Sequence, residues 1–127
     1  MEFIKIKSYA KINISLNIIK KLSSNFHKIE SLIAFIKLYD LIFIKPIKTK
    51  KHKVQFKGRY CDNINENNTV NRLLKILDKK NFLKGKKFYI KIDKNIPQKS
   101  GMGGGSMNAA SILNFFVKKK FVYLNHN

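Results

Sequence analysis

The chain has 127 residues, with 27 Lys and Arg against 7 Asp and Glu and a formal net charge of +20. That length suits one domain, residues 1–127, able to bury roughly two-thirds of the surface its unfolded form exposes, and its single cysteine, Cys61, excludes an internal disulfide and fits a reducing cytoplasm. No apolar run approaches the ~18 residues of a membrane span, and the N-terminus, which alternates charged and apolar residues, does not read as a signal peptide.

Ile4 and Ile6 open a first strand. Ile12, Ile14, Leu16 and Ile18 alternate with Lys11, Asn13, Ser15 and Asn17, which predicts a half-buried strand with Lys11, Asn13 and Ser15 on its polar face. Further strands are expected over residues 29–36 and 41–44, broken around Tyr39 and Asp40, with a weaker one over 54–56. Asn68 or Thr69 is placed to N-cap a helix whose Val70, Leu73, Leu74 and Leu77 follow the i, i+3, i+4, i+7 pattern. Phe88, Ile90 and Ile92 alternate as another strand, and a last helix over 107–117 carries Ala110, Leu113, Phe116 and Val117 on one side. Strands first, then helix, strand and helix, is an α+β order.

Between those last two elements lies the densest signal in the chain. Four of its six glycines, Gly101, Gly103, Gly104 and Gly105, fall together between a strand and a helix. Glycine admits positive φ and close backbone approach, and a helix N-terminus presents free N–H groups and a positive dipole end. Together they form a cradle for an anion, most often phosphate. The common phosphate loops are excluded. No Lys follows the glycines as a P-loop requires, Ser106 stands where a dinucleotide fingerprint needs its third glycine, and a protein-kinase glycine loop would lead into a strand.

The segment from Pro97 to Ala110 resembles the Pro-x-x-x-Gly-Leu-Gly-Gly-Gly-Ser-x-x-Ala-Ala loop of the GHMP kinase superfamily. Ala10-Lys11-Ile12-Asn13-Ile14-Ser15-Leu16 and Phe26-His27-Lys28-Ile29-Glu30-Ser31-Leu32 are similar to two segments of one branch of that superfamily. That branch phosphorylates a hydroxyl of a cytidine diphosphate-linked small molecule. The resemblance runs from about Phe3 to about Lys118. It implies a GHMP kinase N-terminal domain, similar in fold to the second domain of ribosomal protein S5, with ATP and Mg²⁺ as cofactors. It implies that Pro97, Gln98, Lys99, Ser100, Gly101, Met102, Gly103, Gly104, Gly105, Ser106 and Met107 surround ATP, with Ser106 toward the Mg²⁺. By the same resemblance Lys11 sits beside the reacting hydroxyl and is the catalytic residue, while Asn13, Phe26 and His27 meet the substrate, His27 at its cytidine end. Another small-molecule GHMP kinase and a basic S5-like RNA-binding module are the competing readings; the Phe26-His27 segment opposes the first and the glycine loop the second.

The departures from the family pattern are specific. Lys99 replaces a small residue, Met102 a Leu, Met107 a Ser, Asn25 a Gly and Phe26 a Tyr. The family's catalytic Asp lies in a Gly-Ala-Asp-Val-Pro-like segment beyond the loop, followed by a C-terminal domain, and the chain contains neither. The expectation is therefore a truncated N-terminal part with little or no activity, poor solubility and a broad melting transition, because Leu113, Phe116 and Val117 would lose their cover. Residues 121–127 are expected to match no family segment.

The charge excess is almost all Lys; Arg59 and Arg72 are the only arginines. Lys, Ile and Asn share A/T-rich codons, and readers of bases favour the planar fork of Arg. The expectation is nonspecific attraction of phosphate and capture of an anionic small molecule, with no specific nucleic-acid partner and no membrane partner. Nothing in the sequence fixes an oligomeric state.

Overall fold

The computed structural model describes residues 2–21 and 27–122, without the side chains of residues 14–32. Strands β1 (Ile4–Lys21), β2 (His27–Ile47) and β3 (Lys53–Lys57) precede helix α1 (Thr69–Lys79), strand β4 (Lys87–Asp93) and helix α2 (Gly104–Lys118). The strands form one sheet in the order β1-β2-β4-β3. β1 pairs antiparallel with β2, and β2 with β4, while β3 runs parallel to β4. The α+β expectation holds. Among the described residues, no helix is long and apolar enough to cross a membrane.

Both helices pack on one face of the sheet. Ile42 and Ile44 of β2 and Phe88, Ile90 and Ile92 of β4 alternate inward, where they meet Val70, Leu74 and Leu77 of α1 and Ile112, Phe115 and Phe116 of α2. Helix α1 begins where the sequence predicts, with Asn68 as N-cap and its side chain accepting from the Asn71 N–H.

Four expectations need correction. The strands expected around Ile4 and Ile6 and over Ile12 to Ile18 are one strand, β1, on which Ile12 is 40% exposed. β2 runs unbroken through Tyr39 and Asp40. Helix α2 begins at Gly104, three residues before 107, and its fully buried face is Asn108, Ile112, Phe115 and Phe116; Ala110 is exposed. The helix face expected to lie bare is therefore largely covered: Phe116 is buried, and Leu113 and Val117 pack against the core.

Asp40 does not break β2 because its carboxylate is fully paired from another part of the chain. Its Oδ1 accepts from the Asn95 N–H at 2.7 Å and the Ile96 N–H at 2.9 Å. Its Oδ2 accepts from Lys94 Nζ at 2.6 Å and Asn108 Nδ2 at 3.0 Å. Asn108 closes the network, accepting from Lys94 Nζ through Oδ1 at 2.9 Å and donating to Ser8 Oγ at 3.0 Å. Ser8 and Asp40 are 0% exposed, Asn108 1% and Lys94 4%. A buried charge persists only when it is paired and its remaining hydrogen-bonding positions are filled; no described buried side-chain nitrogen or oxygen here lacks a partner. The network joins β1, β2, the segment after β4 and the first turns of α2 at one point.

A second polar cluster ties the opposite end. His52 Nδ1 accepts from the Phe88 N–H at 3.0 Å, and Nε2 meets Asp78 Oδ1 at 3.0 Å. The first bond fixes the neutral imidazole as the Nε2–H tautomer, so the ring donates to Asp78. Lys87 Nζ donates to Asp78 Oδ2 at 3.0 Å. Burial opposes ionisation of Asp78, but the bonds from His52 and Lys87 outweigh it and hold the carboxyl below its ordinary 3.8.

Removing either carboxylate has a distinct signature. Asp40→Ala strands the Lys94 ammonium in the core and should cost about 3–5 kcal/mol, read as a lowered urea midpoint at neutral pH. Asp78 has a depressed folded pKa, so its stabilisation is present above the unfolded value and lost as pH falls through the folded one. Asp78→Asn should therefore lower the urea midpoint at pH ~7. The gap from the parent should narrow as pH drops below ~4, and a gap that stays constant to pH ~2 would contradict the assignment.

Candidate functional site

The glycine segment starts from a fixed base. Asp40 holds the Asn95 and Ile96 N–H groups where the chain leaves β4. Gln98 Nε2 then donates to the carbonyls of Tyr60 at 2.8 Å and Asp62 at 2.6 Å, tying the loop to the segment after β3. Beyond it, Lys99, Gly101 and Gly103 take φ of 55°, 77° and 67°, while Ser100 and Met102 between them do not have positive φ. Alternation of this kind can turn successive N–H groups toward one side, the geometry of an anion-binding nest. Lys99, which stands in place of a small residue, occupies a left-handed position that costs a side-chain-bearing residue roughly 1–2 kcal/mol.

Helix α2 opens directly out of this loop. Its N-cap, Gly103, makes no side-chain capping bond. The N–H groups of Gly104, Gly105 and Ser106 in its first turn have no carbonyl of their own helix to bond. Thr69, the first residue of α1, donates from Oγ1 to the Gly105 carbonyl at 2.7 Å. Two helix N-termini thus converge, and their positive dipole ends add. They border a cleft of about 690 Å³, within the ordinary size of a small-molecule site. Asn63, Asn65, Asn67 and Asn68 line it together with Lys94 and the loop residues Gln98 to Gly101 and Gly103 to Ser106.

Lys11 lies across the loop. Its backbone N–H donates to the Met102 carbonyl at 3.1 Å, and a Cβ built on Gly103 would stand 2.7 Å from Lys11 Cε. Gly103 is therefore favoured by its positive φ, and a side chain there would also have to shift the end of Lys11. No carboxylate pairs with Lys11 among the described residues. Gly104 is constrained differently: a Cβ there would meet Ile96 Cγ2 at 3.1 Å and Lys94 Nζ at 3.4 Å, so its bareness serves inward packing. Gly101 faces open space and serves the turn alone.

Of the residues singled out from the sequence, Lys11 and the segment from Pro97 to Met107 come together. Asn13 is exposed on β1, paired in register with Ile33. His27 opens β2 opposite Lys21; its side chain, and all of Phe26, lie outside the described residues. No group of three or more His, Cys, Asp or Glu among the described residues could hold a metal ion. Ser106 is exposed near the helix start and offers a hydroxyl only. Sequence reasoning does not bring Lys94 or Asn108 to the site, and it reads Asp40 only as a strand break and Thr69 only as a candidate N-cap. A charged residue inside an otherwise apolar strand was the available signal for Asp40.

Comparison with known proteins gives a consistent result. Residues 68–119 match the model of the GHMP kinases N terminal domain. The whole chain aligns with 45% of a 4-diphosphocytidyl-2-C-methyl-D-erythritol kinase from Pelagibacter ubique (strain HTCC1062) at 58% identity, and the alignment includes residues 121–127, contrary to the expectation from sequence. It aligns over 89% of its length with 38% of the same kinase from Clostridioides difficile (strain 630) at 41% identity. The fold matches a crystal structure of 4-(cytidine 5'-diphospho)-2C-methyl-D-erythritol kinase with a TM-score of 0.72 at 23% identity, covering 96% of this chain and 42% of that one. The chain spans less than half the length of the relatives it matches. Over residues 68–119 the chain is thus similar to the GHMP kinases N terminal domain, and along its whole length to part of a 4-diphosphocytidyl-2-C-methyl-D-erythritol kinase.

Proposed function

We propose that this chain supplies the ATP-binding half of a kinase that phosphorylates the 2-hydroxyl of 4-diphosphocytidyl-2-C-methyl-D-erythritol in the non-mevalonate isoprenoid route. The observation that carries this reading is Lys11 lying across Gly103, at the mouth of a loop whose alternating φ values lead into an uncapped helix. Phosphoryl transfer needs positioning and charge neutralisation more than covalent help. The loop N–H groups and the two helix N-termini would hold the phosphate chain of ATP. The Lys11 ammonium, carried on a strand that is hydrogen-bonded to the loop, would face the transferred group and stabilise charge shared between it and the attacking oxygen. Asn13, Phe26 and His27 would contact the cytidine-linked acceptor.

Mg²⁺ would neutralise phosphate charge. The Ser106 hydroxyl fits a supporting role, with the nucleotide's own oxygens as the main donors, since Mg²⁺ sites of this class lean on substrate phosphates. The acceptor hydroxyl would still need a base, and Asp40 cannot serve because four donors already engage its carboxylate. The chain alone is therefore expected to bind nucleotide and to transfer phosphate slowly, from the cytoplasm.

Two measurements test this reading. In calorimetric titration with a non-hydrolysable ATP analogue, Gly103→Ala should weaken binding at least ~10-fold, since the new Cβ costs roughly 1–2 kcal/mol at the positive φ that shapes the loop at the helix start. Gly104→Val should abolish binding by pushing the helix start off Ile96 and Lys94. Circular dichroism must show both variants folded, and parent-like binding in both would refute the loop assignment. Joined to the remainder of the Pelagibacter ubique relative, the chain should phosphorylate the cytidine-linked substrate. There Lys11→Ala should cut the rate by ~10²–10³ while leaving analogue binding within a few-fold.

A further inference from the structure

The sheet has a second face. The residues that alternate with the buried ones on β1, β2, β3 and β4 turn away from both helices, and among the described residues no helix packs over them. This face interleaves lysines with aromatic rings. The Lys45 and Lys91 ammoniums stand 4.5 and 4.8 Å from the Phe3 ring centre, and Lys53 stands 4.6 Å from that of Tyr89. Lys57 lies 5.4 Å from the Phe43 ring centre and Lys7 4.9 Å from that of Tyr39. The rings also touch one another, Phe3 meeting Tyr89 at 5.2 Å and Phe43 at 6.4 Å. Among residues 41–47, 53–57 and 87–93, which pair β2 with β4 and β3 with β4, Asp93 is the one carboxylate that the register places on this face.

We propose that this open face binds single-stranded nucleic acid without sequence preference. Such a ligand asks a surface for two things: cations that follow its backbone and ring faces on which unpaired bases stack. Neighbouring strands lie ~4.8 Å apart and alternate residues ~6.7 Å apart along a strand, so each ring and its lysines fall within the span of one nucleotide. The lysine stem is flexible; an ammonium can swing from a ring to a phosphate and leave the ring to a base. Duplexes hide their bases and gain only the charge. An anionic lipid surface would also attract the lysines, but half-buried rings on a flat sheet present no amphipathic helix or protruding apolar edge to insert. Composition alone explains many lysines; it does not explain their pairing with the rings of one face. The proposal is independent of the glycine-loop reading.

The test is fluorescence anisotropy of a labelled ~20-nucleotide oligo(U) RNA titrated with the full chain, expected to give a dissociation constant of roughly 1–100 μM at physiological salt. Lys45→Glu with Lys91→Glu should weaken binding at least ~10-fold. Lys79→Glu with Lys118→Glu makes the same charge change at the ends of the two helices and should weaken it less than ~3-fold. Tyr89→Ala should weaken oligo(U) binding and leave binding of inorganic polyphosphate, which has charge but no bases, unchanged. Each variant is checked by circular dichroism, with Lys45→Gln plus Lys91→Gln replacing the first pair if that pair does not fold. Equal loss in the two charge-reversed pairs would assign the binding to net charge and overturn the proposal. So would a Tyr89→Ala variant with unchanged oligo(U) affinity. Tighter binding to phosphatidylserine vesicles, with the same dependence on Lys45 and Lys91, would overturn it in favour of a lipid surface.

Discussion

One buried carboxylate organises this structure. Asp40 sits in the middle of β2, fully buried, and its two oxygens accept from two backbone N–H groups, an ammonium and an amide. All four donors belong to the chain just before and just after the glycine loop. An isolated carboxylate in this position would be unaffordable in a medium of low dielectric, and so would the Lys94 ammonium. Each is tolerable only while the other and Asn108 stay in place. The pairing is thus weak evidence for stability but strong evidence for specificity: it lets the segment leave β4 in one direction only.

From that point the loop geometry follows. With Asn95 and Ile96 pinned to Asp40, and Gln98 pinned to the carbonyls of Tyr60 and Asp62, the chain has few residues in which to reverse and start α2. Positive φ at Lys99, Gly101 and Gly103 accomplishes the reversal. The absence of a capping side chain at Gly103 leaves the first turn of α2 free to bond a ligand, while in α1 the Asn68 side chain already takes the Asn71 N–H and the helix adds its dipole. Lys11 reaches the loop through the Met102 carbonyl, so the strand that carries the cation and the loop that would cradle the anion move as one body. The proposed cradle thus stands on the buried Asp40 network, and the apolar core lies between the sheet and the two helices.

Much of this was legible in the sequence. Period-two alternation marked Phe88, Ile90 and Ile92, the i, i+3, i+4, i+7 pattern and a capping Asn marked α1, and the glycines marked the loop. The misreadings share a cause. Asp40 looked like a strand break because local reasoning sees a charge and not its partners, which lie 54, 55, 56 and 68 residues away. The buried face of α2 was misplaced for the same reason. Asn108 reads as a surface residue, yet its amide closes the Asp40 network and sets the rotation of the helix, so that Ile112, Phe115 and Phe116 turn inward and Ala110 turns out. The start of α2 was set too late because glycine is a poor helix former, and tertiary anchoring overrode that propensity at Gly104. The open sheet face was not legible either, since its lysines and rings are scattered through the sequence and meet only once the strands are in register.

The central claim is that the backbone N–H groups from Gly101 to Ser106 form an anion cradle held in shape by Asp40. It is tested most directly by amide chemical shifts of the ¹⁵N-labelled chain titrated with a non-hydrolysable ATP analogue. The account predicts that Gly101, Gly103, Gly104, Gly105 and Ser106 show the largest shifts and that the glycine shifts vanish in Asp40→Asn at the same analogue concentration. Shifts concentrated at Phe43, Tyr89 and Lys91, with the loop amides unmoved, would contradict it.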